Sequence, residues 1–279
     1  MIKIIIDSTC DLDPKLISKY QIDMVPLQVI INGTTFKDQI DINIESLYQH
    51  IRNNDEIKTS LPMYEDIFPL FKNYAESNTP FIFFSFAKAL SGTNNFANIL
   101  VKDLKLNYPT QMAVVDLQNG GVASAMILEK VLEKLDTRAS FDEIVDYANH
   151  LADHMLHAIM LNDLTQLRKG GRISGIKSII SSVLSIRPLL MLDHGAIKPY
   201  KNAIGPKRAL NELVEFAVKF SPDKNREIGV NFSANESLLT DSIKLLEKAG
   251  FTKIKVGRIA SVMTAHIGLD AVSFCFFNK

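Results

Sequence analysis

The chain has 279 residues, 47% hydrophobic and 22% charged, and 31 Lys plus Arg balance 31 Asp plus Glu, which excludes disorder as its main state and any global field for nucleic acid or an anionic membrane. Its length favours two domains, each large enough for its own core. The two cysteines, Cys10 and Cys275, cannot build a disulfide framework or a zinc set, Asp7 interrupts the N-terminal apolar run too early for a signal peptide, and no stretch approaches the ~18 apolar residues of a membrane span; a cytoplasmic protein is expected.

Residues 2 to 6 (IKIII) predict a buried parallel strand whose end at Asp7 meets a loop. Residues 24 to 31 (MVPLQVII) predict a second strand, closed by the hairpin signal Asn32-Gly33, with Pro26 favouring an edge or early position. A helix follows from about Ile44 to Arg52, and another from the breaker Leu61-Pro62 to about Tyr74. Residues 80 to 86 (PFIFFSF) and 112 to 116 (MAVVD) are further short strands, each followed by a small-residue turn and a helical pattern. This alternation implies βαβ units and a Rossmann-like, mostly parallel sheet.

The pattern changes near residue 155. HAIML reads as a strand, Leu164 to Lys169 as a helical turn, RKGGRISG as a glycine-rich loop, and IRPLLMLDHGAIKPY as two strands around His194-Gly195. A helix near Lys207 to Phe220, a strand at Glu227 to Phe232, a helix at Ser237 to Lys248 and strands near Lys253 to Val256 and Ala271 to Phe276 complete a mixed-sheet α/β domain. The expected architecture is therefore α/β with two domains, 1–155 and 156–279.

Five segments contain residues suited to chemistry. The loop Asp7 to Leu12 follows a strand end, where open α/β sheets bind ligands, although Asp11 or Asp13 is equally placed to cap a helix starting at Pro14. Thr59-Ser60-Leu61-Pro62 and Ser91-Gly92-Thr93 bring hydroxyls, the latter just before a helix whose N-terminus would favour an anion; the same string serves as an ordinary N-cap. The run Gly170 to Ser178 narrowly misses a phosphate loop, its lysine one residue late and its context wrong. Arg168, Lys169 and Arg172 there describe a basic loop, solvated or docking an acidic partner. His150, His154 and His157 have a metal-like spacing, but Ile144, Ala148 and Leu151 form the buried stripe and leave His150 and His154 on the wet face. His266 stands in the small-residue segment Thr264 to Gly268, predicted to be a loop; pairing it with Ser91 as base and nucleophile lacks both an elbow motif and an orienting acid. No metal site and no catalytic residue is assigned.

Taken in order, Asp7-Ser8-Thr9-Cys10-Asp11-Leu12, Thr59-Ser60-x-Pro62, Leu90-Ser91-Gly92-Thr93, Lys169-Gly170-Gly171-Arg172-Ile173 and Ala265-His266-x-Gly268 resemble the DegV family of bacterial fatty-acid-binding proteins across nearly the whole chain. The resemblance implies a two-domain α/β fold holding one long-chain fatty acid between the domains, with no other cofactor. Some members serve as the binding subunit of a fatty-acid kinase, so an ATP-binding kinase subunit is the implied partner. Carried over by position, Thr59 and Ser91 would hydrogen-bond the carboxylate with His266 beside it, and Ser60, Gly92 and Thr93 are expected in the same ligand site. Arg168, Lys169 and Arg172 become a docking patch for the kinase. This chain departs from the family pattern at Leu61, Met63, Ile267, Leu269 and Asp270, and Asp270 would bring a second negative charge near the carboxylate. The alternative reading is a Rossmann-like enzyme acting on a small phosphorylated or carboxylated metabolite at the helix after Ser91.

Overall fold

The computed structural model describes residues 2–172, 186–221 and 223–278. From the N-terminus the chain forms β1 (Lys3–Asp7), α1 (Pro14–Tyr20), β2 (Asp23–Val25), β3 (Gln28–Ile31), β4 (Thr34–Lys37), α2 (Ile44–Arg52) and β5 (Ile57–Ser60). It continues through α3 (Tyr64–Glu76), β6 (Phe81–Ser85), α4 (Thr93–Leu104), β7 (Met112–Asp116), α5 (Val122–Asp136) and α6 (Phe141–Asp153). The strands β2-β1-β6-β7 pair in that order, all parallel. β6 is buried at every residue, as a strand covered on both faces requires.

The apolar run 24–31 does not form the single strand expected from its pattern. Pro26, which has no N–H to donate, separates β2 at the edge of the parallel sheet from β3, the centre of a three-stranded antiparallel sheet in the order β4-β3-β5. Asn32 and Gly33, both with positive φ, close the β3–β4 hairpin. This small sheet has its own apolar cluster around Val29, Ile31, Leu47 and Val262.

The remaining elements are β8 (Met155–Met160), α7 (Thr165–Lys169), β9 (Ile186–Asp193), β10 (Ala196–Ile204), α8 (Pro206–Phe220), β11 (Ile228–Phe232), α9 (Glu236–Lys248), β12 (Ile254–Arg258), α10 (Ser261–Ile267) and β13 (Val272–Phe277). Their strands form one mixed sheet in the order β10-β9-β8-β13-β11-β12, antiparallel except for β11 and β12. A parallel four-stranded sheet, a separate six-stranded mixed sheet and the small antiparallel β4-β3-β5 sheet thus make up the α/β fold.

Helix α5 sits between these two sheets. Its residues Val122 to Leu128 are all buried, as a helix packed on several sides must be. It shares a core with Ile4, Ile6 and Phe84 of the parallel sheet and with Cys275 of the mixed sheet. Gly229 permits this approach, because a side chain there would press into Cys275, Val122 and Met126 at once. Both cysteines are buried and unpaired, and burial pushes their thiols well above the usual range, which makes them inert packing groups.

Candidate functional site

A cavity of about 270 Å³ lies between the C-terminal ends of the parallel strands and one face of the mixed sheet. That is some twenty times the ~10–15 Å³ needed to hold one water. Thr9, Phe86 and Gly120 reach it from the segments following β1, β6 and β7, the position where open α/β sheets bind ligands. Ile159 pairs with Leu190, and Leu192 pairs with both His157 and Ile197, so alternation places these side chains on one face of the sheet as the apolar floor. Leu27, Val262 and Met263 close the third side.

One pole of the cavity is polar. Thr59 is the penultimate residue of β5, and its Oγ1 lies 2.7 Å from Nε2 of His266, 207 residues away. Contrary to the expected loop, His266 occupies the last turn of α10, which Gly268 terminates at positive φ. Five of the seven residues from Ser261 to Ile267 are weak helix formers, and burial of Val262, Thr264 and Ala265 helps to hold the segment helical. Burial and the nearby Arg172 charge lower the His266 pKa to about 4, so the ring is neutral at pH 7. Its Nδ1 has no partner and faces Gly170, where an added Cβ would overlap the ring. An unpaired N–H is the costlier orphan, so the proton belongs on Nε2, donated to Thr59, and the Thr59 hydroxyl hydrogen is left for the cavity.

Ser91, Gly92, Ser60 and Leu61 also line this pole, with Ser91 directly before the α4 N-terminus. Ser91 Oγ lies 2.9 Å from Thr93 Oγ1 and accepts the Thr93 N–H at 3.3 Å. Ser91 and His266 therefore each have other partners and do not pair as nucleophile and base. Thr93 is fully buried and does not reach the wall, so its expected place in the site becomes one of supporting Ser91.

The basic loop divides. Arg168 and Lys169 are exposed, and Lys169 Nζ donates to Asn54 Oδ1 at 2.6 Å. Arg172 instead lines the cavity, donating from Nε to Leu90 O at 3.2 Å and from Nη1 to Gly170 O at 2.6 Å. It is a wall residue and not part of an open docking patch. The rest of the glycine-rich run, Ile173 to Ser178, lies outside the described residues. Asp270 is also corrected: its carboxylate accepts from Asn235 Nδ2 at 2.8 Å and takes no part in the cavity wall, so it brings no second charge to the site.

The loop after β1 both caps a helix and reaches the cavity. Asp13 caps α1 by accepting the Lys15 N–H at 2.8 Å, whereas Thr9 faces the cavity. Beneath Thr9, buried Asp7 accepts from the Thr9 hydroxyl and from the Phe86 N–H, and burial raises its pKa. Asp38 accepts from Ser8 Oγ at 2.8 Å, and burial pushes its pKa up to about 6.

A second polar group was not anticipated. His157 lies in β8, the strand expected from HAIML, and is buried. Its Nδ1 faces Asn119 Oδ1 at 3.0 Å and its Nε2 faces Ser273 Oγ at 2.8 Å, while Asn231 Nδ2 donates to Ser273 Oγ at 3.0 Å. His157, Ser273 and Asn231 all line the cavity. They come from three different strands, so no local spacing in the sequence announces them. Among the described residues no cluster of His, Cys, Asp and Glu suits a metal ion, and no helix is long and apolar enough to cross a membrane.

Comparison with known proteins gives a consistent result. The family model that matches is that of the DegV family, described as uncharacterised proteins, and it covers residues 1–279. The DegV domain-containing protein MG326 of Mycoplasma genitalium is 30% identical, over 97% of this chain and 96% of its own. The Thermotoga maritima protein TM841, whose structure is described as revealing fatty acid binding function, superposes with a TM-score of 0.82 at 25% identity, covering 99% of both chains. The Streptococcus pneumoniae fatty acid kinase B3 protein, solved with linoleic acid, superposes with a TM-score of 0.85 at 20% identity over 100% of both chains.

Proposed function

The chain belongs to the DegV family, and we propose that it binds one long-chain fatty acid in its cavity and presents the carboxylate to a partner fatty-acid kinase. The observation that carries this reading is the segregation of the wall. Arg172, the one charged side chain among its described residues, stands with Thr59, Ser91 and His266 at one pole, and Leu, Ile, Phe and Met surround most of the remainder. A carboxylate at that pole would receive the Thr59 hydroxyl hydrogen, the Arg172 charge and the field of the α4 N-terminus. Burying a sixteen-carbon chain releases about 12 kcal/mol gross, at ~0.8 kcal/mol per CH₂, against association costs of about 4–15 kcal/mol. A preformed apolar cavity keeps those costs low.

We read residues 1–155 and 156–279 as the two domains that enclose the ligand, and the protein as a cytoplasmic carrier, not a catalyst. The likeness to the streptococcal kinase B3 protein supports the partnership. Exposed Arg168 and Lys169 remain the basic surface for an acidic kinase face. The direct test is to denature the purified protein and identify released molecules by mass spectrometry. Recovery of no lipid, with no melting-temperature shift on adding palmitate or oleate, would sink the reading.

Thr59→Val and Ser91→Ala should each weaken fatty-acid binding by about 1.5–3 kcal/mol, tenfold or more in Kd. Titration calorimetry measures this, and wild-type affinity in both folded variants would place the carboxylate elsewhere. Gly170→Ala tests the positioning of His266 independently. Gly170 has an ordinary right-handed backbone, so alanine strains nothing except the imidazole packed against it. Affinity should fall roughly tenfold through the displaced Thr59 contact. The Gly170→Ala/His266→Ala pair should then bind no worse than His266→Ala alone; fully additive losses would show that Gly170 acts by another route.

A further inference from the structure

The apolar floor of the cavity is interrupted at the side nearest α5. Asn231 and Ser273 face each other directly across β11 and β13, and His157 lies two positions along on the neighbouring strand. The same sheet face continues as Ile159, Leu190, Leu192 and Ile197. The Asn231 amide oxygen has a structural use in holding the Val122 N–H, but a floor that met only methylene groups would leave its second N–H without a partner.

The hydrogen-bond inventory shows what this polar spot lacks. Asn119 Oδ1 can only accept, since its own Nδ2 donates to Leu117 O, so the proton of His157 sits on Nδ1. Burial lowers the His157 pKa to about 4 and keeps the ring neutral; Nε2 therefore accepts, and the Ser273 hydroxyl must be its donor. Ser273 in turn accepts from Asn231 Nδ2. The Asn231 amide cannot be flipped, because its Oδ1 accepts the Val122 N–H at 2.7 Å. Thr9, also in the wall, spends its hydrogen on Asp7. Three valences are left over: the second N–H of Asn231, a lone pair on Ser273 and a lone pair on Thr9. The Asn231 donor and either acceptor match a hydroxyl, which accepts from Asn231 and donates its single hydrogen to Ser273 or Thr9. A methylene laid there leaves the Asn231 N–H dry and unpaired, an arrangement that opposes binding.

We propose that the preferred ligand is a hydroxylated long-chain fatty acid, its carboxylate at the Thr59 and Arg172 pole and its chain hydroxyl accepting from Asn231 and donating to Ser273 or Thr9. The proposal rests on the fatty-acid reading above. No charged side chain stands at the second pole, so it selects a neutral hydroxyl and does not compete for the carboxylate.

The test uses the full chain, with octadecanoic acid and its monohydroxy positional isomers titrated singly by calorimetry. One isomer, or two neighbours, should bind about three- to tenfold tighter than octadecanoic acid, the range of one neutral hydrogen bond, and the remaining isomers more weakly. Ser273→Ala should shrink that preference below about twofold. If the variant does not fold, the positional series on the wild type decides alone. Tighter binding of octadecanoic acid than of every isomer overturns the proposal while sparing the fatty-acid reading. Failure of octadecanoic acid and all isomers to bind overturns both.

Discussion

Replacing Arg172 by alanine is expected to weaken long-chain fatty-acid binding by about 2–5 kcal/mol, at least thirtyfold in Kd, the range for truncating one partner of a desolvated charge pair. Arg172 is the sole cation among the described wall residues, and two backbone carbonyls, Leu90 O and Gly170 O, hold its guanidinium in place. Those bonds fix its position without neutralising it, which leaves the charge for an incoming carboxylate. They also join the segment before α4 to the end of α7. Arg172→Lys should recover only part of the affinity, because an ammonium cannot donate to both carbonyls and a carboxylate in the same planar array. Calorimetry with palmitate measures the loss. Unchanged affinity in folded Arg172→Ala would remove the cation from the head-group site.

The strands and helices were legible wherever one physical signal sufficed. Continuous apolar runs marked β1, β6 and β7, and periodic stripes marked helices such as α6, whose buried residues Ile144, Ala148 and Leu151 follow the expected spacing. The run 24–31 misled because hydropathy cannot tell one strand from two strands in different sheets; Pro26 carried that information only as a local preference. Helix α10 was hidden for the opposite reason, since Ser, Val, Thr and His have poor helix propensity and only tertiary burial makes the segment helical. In the site, the hydroxyls and His266 were visible as ordered motifs, but the 2.7 Å contact between Thr59 and His266 spans 207 positions and has no local trace. The basic loop was visible as charge, while the inward turn of Arg172, with Arg168 and Lys169 left outside, depends on the carbonyls it meets. The second polar spot was illegible because its residues alternate with apolar ones in three separate strands.

Acidification from pH 7 to pH 5 should destabilise the ligand-free protein by about 2 kcal/mol, read as a lower urea midpoint. His157 and His266 each have a pKa lowered to about 4 by burial, whereas in the unfolded chain they titrate near 6.5. Between those values the unfolded state binds more protons, so stability falls as pH falls; each imidazole costs a little under ~2 kcal/mol over this interval. Asp38 works in the other direction. Its pKa is raised to about 6 by burial, so the folded state takes up the proton first and gains about 1 kcal/mol over the same interval, and Asp7 and Asp11, both raised by burial, act with the same sign. Two imidazoles outweigh these acids. The lowered carboxylates Asp55, Glu56, Glu143 and Glu212 titrate below the interval and do not alter the sign. A urea midpoint that holds steady or rises toward pH 5 would mean that the acids dominate or that the imidazoles are not desolvated. A bound fatty acid should flatten the dependence, because a carboxylate beside His266 favours the charged ring and raises its pKa toward the unfolded value. His157, at the other pole, would then account for most of the slope that survives in the complex.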